Sequence, residues 1–216
     1  MPGPHDKIIA NAAKAVLRPL GFQRKGQSRL WFFDHSWWLT VVEFQPSSWS
    51  KGSYLNVAAH WLWTDIGAIS FDFGGRLEGF EEYASDEQSA AAVARLADRA
   101  ADEARRLAAM FSSLADTAEI LLEQARTEAQ RAPAHPGWMV YNAGVAAGLA
   151  GRNDEAAEMF GRVLSSSGDQ TSVLHLKTER MSKLTSDAAK LRQEAASTIA
   201  QQRATLRLSP WDASQL

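Results

Sequence analysis

The sequence predicts an α+β fold in which an N-terminal helix and an antiparallel meander sheet of about four strands are followed by an all-helical C-terminal half. Three observations predict it. Six of the eight tryptophans precede residue 64, alanine dominates from Ala90 onward, and turn residues separate short β-like segments in the first part. Aromatic side chains suit a pleated sheet and alanine suits a helix, so the shift in composition marks a change from sheet to helix.

The first predicted element is an amphipathic helix in the segment HDKIIANAAKAVLRPLGF. Its apolar residues recur at helical spacing, and these are Ile8, Ile9, Ala12, Ala13, Val16 and Leu17. Pro19 and Gly21 then end the helix, because neither residue continues a regular helical turn well.

Four segments with strand character follow, at residues 29–34, 37–45, 53–63 and 68–73. The segments between them contain Asp, Ser, Pro and Gly, which favour turns. Gly74 and Gly75 are expected to form a tight turn that closes the sheet and presents Arg76. Short sequential connections make an antiparallel meander the simplest topology.

The helical half begins with a predicted capping box, in which Ser85 caps the helix and Gln88 stands three residues later. A second helix is predicted from 113 to about 131, ended by Pro133 and Pro136. The segment SDAAKLRQEAASTIAQQRATL predicts a last long helix.

These patterns divide the chain into an α+β sheet domain at 1–84 and a helical region at 85–216. The helical region packs either separately or as one unit with the sheet.

One stretch of the helical half, YNAGVAAGLAGRNDEAAEMFGRVL at 141–164, resembles a single tetratricopeptide repeat. The resemblance implies two helices that approach closely at Gly144 and turn at Gly151, with Asn153 or Asp154 capping the second helix. It places Ala156 and Phe160 at the small and aromatic packing positions. Because one repeat cannot bury its own faces, we expect a helical hairpin packed on its neighbours.

Strand alternation predicts one apolar sheet face, which includes Phe44 and Trp61 and is covered, and a second face that is mixed and free. Trp49 lies in the connection 46–52, where we expect its indole to fold back over the sheet edge; an exposed indole waiting for a partner is the alternative. The candidate partner- or ligand-binding residues are Trp31, Glu43, Gln45, Trp49, Lys51, Tyr54, Asn56, His60, Asp72 and Arg76.

Charge and composition exclude several classes of function. Lys plus Arg total 23 against 25 Asp plus Glu, and residues 1–84 carry eight of each sign, so a general phosphate-binding surface is not expected. The chain contains no cysteine, no apolar run of membrane-spanning length and no basic-then-apolar leader. We therefore expect a cytoplasmic protein without disulfides, a membrane span or a cofactor.

The N-terminal half resembles the bacterial family called domain of unknown function 4304. The segments that carry the resemblance are LRPLGFQRKGQSRLWF, VVEFQPSSWSKGSYLNVAAHWLW and SFDFGGRLEGFEEY, which together cover roughly residues 1–110. The resemblance implies an α+β domain of bacterial origin. It further suggests an immunity-type role, since small domains of this general style are found near toxin systems.

The favoured function is a non-catalytic binding module for another protein, because Trp, Tyr and Arg among polar neighbours are typical of interface anchors. The first alternative is a hydrolase-like enzyme in which Glu43, His60 and Asp72 act as acid and base on the same face. The second is a single-stranded nucleic-acid binder. It would use the basic cluster of Arg24, Lys25 and Arg29, with Trp31 beside it. No metal site is expected, because this half offers few imidazoles.

Overall fold

The computed structural model of the chain describes residues 4–131, 137–166 and 169–216. It confirms the α+β class, with an N-terminal helix, a five-stranded antiparallel sheet and then helices. The strands are β1 (Gln23–Arg24), β2 (Leu30–Asp34), β3 (Trp38–Pro46), β4 (Gly52–Trp61) and β5 (Phe73–Glu82). The helices are α1 (Pro4–Leu17), α2 (Asp86–Met110), α3 (Leu114–Arg131), α4 (Trp138–Leu149), α5 (Asn153–Leu164), α6 (Val173–Ser182) and α7 (Ala188–Leu206).

Several boundaries follow from local chemistry. Gly21 takes the left-handed conformation (φ 91°) directly after a short 3₁₀ turn, Arg18–Leu20, that extends α1. The Ser85 hydroxyl accepts a hydrogen bond from the backbone N–H of Gln88 at 3.2 Å, which confirms the predicted cap of α2. The predicted helix end at Pro133 and Pro136 lies outside the described residues.

The sheet is a meander whose strands are hydrogen-bonded in sequence order. In the β2–β3 register, Trp31 lies opposite Val42 and Leu30 lies opposite Glu43. Because successive side chains point to opposite faces, Trp31 and Glu43 lie on different faces of the sheet.

The prediction of a strand at 68–73 is wrong. Residues 68–72 form no strand, and β5 begins at Phe73 and continues for ten residues, so Gly74 and Gly75 lie inside a strand rather than in a turn. Gly74 has φ 103°, and a Cβ there would stand 2.6 Å from the carbonyl oxygen of Val57. Glycine lets β5 pass close to β4 at this point.

The chain forms two compact units, which are Met1–His60 with Ser70–Ala109, and Trp61–Ile69 with Met110–Leu216. In the first unit α1 and α2 lie against one sheet face. Ile9 and Val93 line one cavity together with Ser53, and Phe33 lines another with Ala104. The apolar residues of this face are buried, as predicted for Phe44.

In the second unit, the short segment Trp61–Ile69 is held by the helices. The Trp63 indole N–H donates to the side-chain oxygen of Asn142 at 3.1 Å, and the Gln202 amide donates to the carbonyl of Ala68 at 3.0 Å. Trp61, also predicted to be core, is buried and stacks on Trp63 with the rings 5.3 Å apart.

Helices α4 and α5 form a helical hairpin. A Cβ on Gly144 would stand 2.6 Å from the Phe160 ring, and Gly151 in the turn has φ 79°. The predicted cap is wrong: α5 begins at Asn153, its N-cap is Arg152, and the Arg152 side chain makes no capping hydrogen bond. Within the described residues, no helix is both long enough and apolar enough to cross a bilayer.

Candidate functional site

A connected group of side chains lies on the second face of the sheet, formed by β3, β4 and β5. It consists of Glu43, Gln45, Tyr54, Asn56 and Arg76, and we call it the hairpin patch. The register that places Asn56 opposite Arg76 brings β5 into a group otherwise carried by β3 and β4. Strand alternation predicted Glu43, Gln45, Tyr54 and Asn56 as binding residues on this face. Arg76 was predicted as a binding residue presented by a Gly74–Gly75 turn, and the structure places it on β5 beside the other four.

Hydrogen bonds hold the hairpin patch in one arrangement. The Asn56 amide donates to the Glu43 carboxylate and to the Gln45 side-chain oxygen, both at 2.9 Å. The Gln45 oxygen also accepts from the Arg76 guanidinium at 3.0 Å. One acidic and one basic side chain therefore flank a pair of amides, and the patch carries no excess charge.

An aromatic layer extends the same patch. The Arg76 guanidinium carbon lies 3.8 Å from the centre of the Tyr54 ring, which is close enough for a cation–π contact. Phe80 packs on the Tyr54 ring with centroids 5.1 Å apart. Arg76 is exposed while Tyr54 is half-buried, so the guanidinium faces water and the ring supports it.

The loop that follows β3 presents Trp49 to solvent. Its side chain is 94% exposed, so the expectation that the indole folds back is wrong. The Ser47 hydroxyl accepts hydrogen bonds from the backbone N–H groups of Trp49 (3.1 Å) and Ser50 (3.4 Å), which turns the backbone outward. Lys51, also predicted as a binding residue, is exposed beside it.

Three predicted binding residues are buried. Asn56, inside the hairpin patch, is 8% exposed, and its side chain supports Glu43 and Gln45 from below. Trp31 is 4% exposed and lies on the covered face, opposite Val42. His60 is on the second face but has no exposed surface, and neighbouring Leu39 and Val41 on β3 are buried as well. The second face is therefore open only in part, where the hairpin patch lies, and the prediction that all of it is free needs this correction.

His60 belongs to a separate buried cluster with Ser70 and Asp72. Its Nδ1 lies 2.8 Å from the Ser70 hydroxyl and 3.1 Å from the Asp72 carboxylate, and that hydroxyl donates to Asp72 at 2.7 Å. A Ser–His–Asp triad places the serine and the aspartate on opposite ring nitrogens. Here both lie at the same nitrogen, which suits a hydrogen-bonded tie between β4 and residues 70–72.

The acidic and histidine cluster of the enzyme alternative is not formed as predicted. Glu43 bonds to Asn56 in the hairpin patch, whereas His60 and Asp72 bond to each other and to Ser70. Among the described residues no group of three His, Cys, Asp or Glu side chains is placed to hold a metal ion.

Sequence reasoning missed two members of these groups. Phe80 was overlooked because β5 was placed too early, although the alternation in FGGRLEGFEEY carries a strand signal. Ser70 was missed as a partner of His60, because residues 68–73 were predicted to form a strand. Comparison of this chain with protein-family models, with curated proteins and with solved structures found no match in any of the three.

Proposed function

We propose that the protein is a non-catalytic binding module for another protein, and that its contact surface is the hairpin patch together with Trp49 and Lys51. The observation that carries the proposal is the 94% exposure of Trp49. An indole in water is unfavourable and is the side chain most often found at the energetic centre of protein interfaces. Tyr54 and Arg76 belong to the same class of interface anchors.

Preorganisation supports the same proposal. The Arg76 guanidinium is already stacked on Tyr54 and bonded to Gln45, so little rotamer freedom remains to be lost on binding. The patch presents the Glu43 carboxylate, the Gln45 amide and the Arg76 guanidinium, which are groups that pair with polar atoms at the rim of a protein interface. The N-terminal resemblance points to an immunity-type role, and the cysteine-free chain fits the cytoplasm of a bacterium.

The two alternatives have weaker support. An enzyme using His60 would need a path for substrate to a side chain with no exposed surface. A nucleic-acid binder would need its basic cluster and Trp31 together at the surface, but Trp31 is buried. In addition, the neighbouring Arg29 forms an ion pair with Asp6.

The test is Trp49→Ala, with the matched control Leu176→Ala on α6, where the leucine is 54% exposed. A partner captured with the wild-type protein is purified, and its Kd is measured for each variant. We expect Trp49→Ala to weaken binding by about 30-fold or more, as for a hot-spot residue, and to leave the melting temperature nearly unchanged.

Leu176→Ala should change neither quantity. Equal affinity of wild type and Trp49→Ala for the purified partner would contradict the proposed surface. A large fall in the melting temperature of Trp49→Ala would show that the indole packs in the fold instead.

A further inference from the structure

A second site lies in the first compact unit, away from the hairpin patch, where a cleft of about 160 Å³ opens between the sheet and α2. Its lining is mostly apolar. Phe22 and Phe33 form one wall, and Ala104 and Ala108 of α2 form the facing wall. Because alanine has the smallest apolar side chain, α2 leaves a slot between the two walls that a larger residue would fill.

The aromatic wall is built from rings that support one another. The Phe22 and Phe33 rings are 5.6 Å apart, and Phe33 is 4.6 Å from the His35 ring. His35 in turn stacks nearly parallel on the buried Trp38, at 3.9 Å and 6°. Gly21 lies against Phe33, since a Cβ there would stand 2.8 Å from that ring. The wall is therefore held in place from behind and presents ring faces and edges to the slot.

Three polar side chains from the described part of the chain line the cleft, and among them only Arg105 is charged. His35 Nε2 lies 2.9 Å from the Thr40 hydroxyl, so these two groups satisfy each other. Arg105 is the single charged side chain that lines the cleft within the described residues. It pairs with Asp102 at 2.5 Å, but both side chains are more than 60% exposed, and such pairs contribute little. The guanidinium can exchange this partner for an anion in the cleft.

We propose that this cleft binds a small planar aromatic carboxylate, with its ring between the phenylalanines and the alanines of α2 and its carboxylate on Arg105. An apolar cavity of about 150 Å³ is large enough to hold a benzene ring. A guanidinium binds a carboxylate through two parallel hydrogen bonds, so it orients the ring as well as attracting its charge. The site implies recognition of the ligand and no reaction on it.

Benzoate is the probe, followed by two-dimensional NMR of the full-length, isotope-labelled protein. We expect saturable shifts at Phe22, Phe33 and Thr40 with a Kd on the order of 1 mM, as for other ligands of this size. Acetate, which has the charge without the ring, should cause no saturable shift in the cleft. Benzyl alcohol, which has the ring without the charge, should bind about tenfold more weakly than benzoate.

Two pairs of variants locate the site. Ala108→Leu fills the slot and should abolish saturable binding, whereas Ala109→Leu, on the exposed neighbouring position outside the cleft, should not. Arg105→Ala should weaken benzoate about tenfold and leave benzyl alcohol unchanged. Arg106→Ala should change neither, because Arg106 pairs with Glu103 and does not line the cleft.

Each variant is first compared with wild type by its amide spectrum, so that loss of fold is not taken for loss of binding. Three results would overturn the proposal. The first is that benzoate, at a concentration about tenfold above the expected Kd, causes no saturable shift at the lining residues. The second is that benzoate still binds to Ala108→Leu, and the third is that acetate and benzoate cause equal shifts.

Discussion

Among single residues, His35 has the clearest link between its surroundings and a measurable property. Its ring is packed between Phe33 and Trp38, and its Nε2 lies against the Thr40 hydroxyl. Burial lowers the pKa of His35 from 6.5 to about 4, although the nearby Asp34 carboxylate acts in the opposite direction. The folded protein therefore keeps this ring neutral at a pH where the unfolded chain is protonated.

This pKa shift predicts a pH dependence of stability. Between pH 6.5 and about 4 the unfolded chain binds a proton at residue 35 that the folded protein does not, so the free energy of unfolding falls as the pH falls. The loss is at most about 3 kcal/mol, and no further loss from this group occurs below about pH 4. Urea unfolding of wild type and His35→Phe at several pH values measures it.

Phenylalanine keeps a flat ring against Trp38 but cannot take a proton, so the variant should lack this part of the pH dependence. Carboxylates titrate in both proteins and cancel in the difference between them. If the difference in unfolding free energy between wild type and variant stays constant from pH 7.5 to pH 4, the pKa of His35 is not lowered in the folded protein.

At the scale of elements, two glycines of the α4–α5 hairpin have opposite surroundings. Gly144 on α4 faces Phe160, which is fully buried, and a Cβ there would stand within 2.6 Å of the ring. Gly161 on α5 is exposed, and a Cβ there would meet nothing within 4 Å. The first glycine permits close packing of the helices, whereas the second only weakens its helix.

Alanine at the two positions should therefore change stability in opposite directions. Gly144→Ala forces Phe160 or the helix to move and should destabilise the protein by about 1–3 kcal/mol. Gly161→Ala removes backbone freedom from the unfolded chain and should stabilise it by about 0.5–1 kcal/mol. Chemical denaturation with circular dichroism measures both. A neutral Gly144→Ala would show that the hairpin is packed less closely than described.

The fourth predicted strand shows where local pattern fails at this scale. Gly74 and Gly75 resemble a turn signal, but Gly74 serves the close approach of β5 to the Val57 carbonyl. Register shifts between β4 and β5 around Leu55 also break the strict alternation. A glycine required by a neighbouring backbone cannot be told from a turn glycine without that neighbour.

At the scale of the whole chain, the two compact units interleave in sequence, because Trp61–Ile69 belongs with the helices while the residues on either side belong with the sheet and α2. Within the second unit this segment contributes the buried Trp61, Leu62 and Trp63. A fragment that ends after α2 would keep these side chains but lose the helices that bury them.

We therefore predict that the fragment 1–110 exposes apolar surface. It should bind the dye ANS and aggregate on warming, because the partners of Trp63 and of Ala68, which are Asn142 and Gln202, are missing. The same fragment with 61–69 replaced by a Gly/Ser linker of equal length should bind less dye. Cooperative unfolding of the unmodified fragment without dye binding would contradict the prediction.

The residues of the candidate site also separate into those that the sequence pattern could place and those that it could not. Strand alternation was enough to place Glu43, Gln45, Tyr54 and Asn56 on one face, whereas Arg76 was expected in a turn and lies on β5. It could not show that the face is buried around His60, because burial depends on what packs there and not on the strand itself. The exposure of Trp49 was equally out of reach, since a loop has no periodicity from which an orientation follows.

The sequence by itself determined the fold class, the helical hairpin and four of the five residues of the hairpin patch, all except Arg76, because helical and strand periods and helix caps are local properties. Tertiary structure decided the rest. It set the position of the last strand, β5, the burial of Trp31 and His60, the outward position of Trp49 and the cleft beside α2. Each of these depends on which distant segment lies alongside, and contacts between segments far apart in the chain leave no period in the sequence.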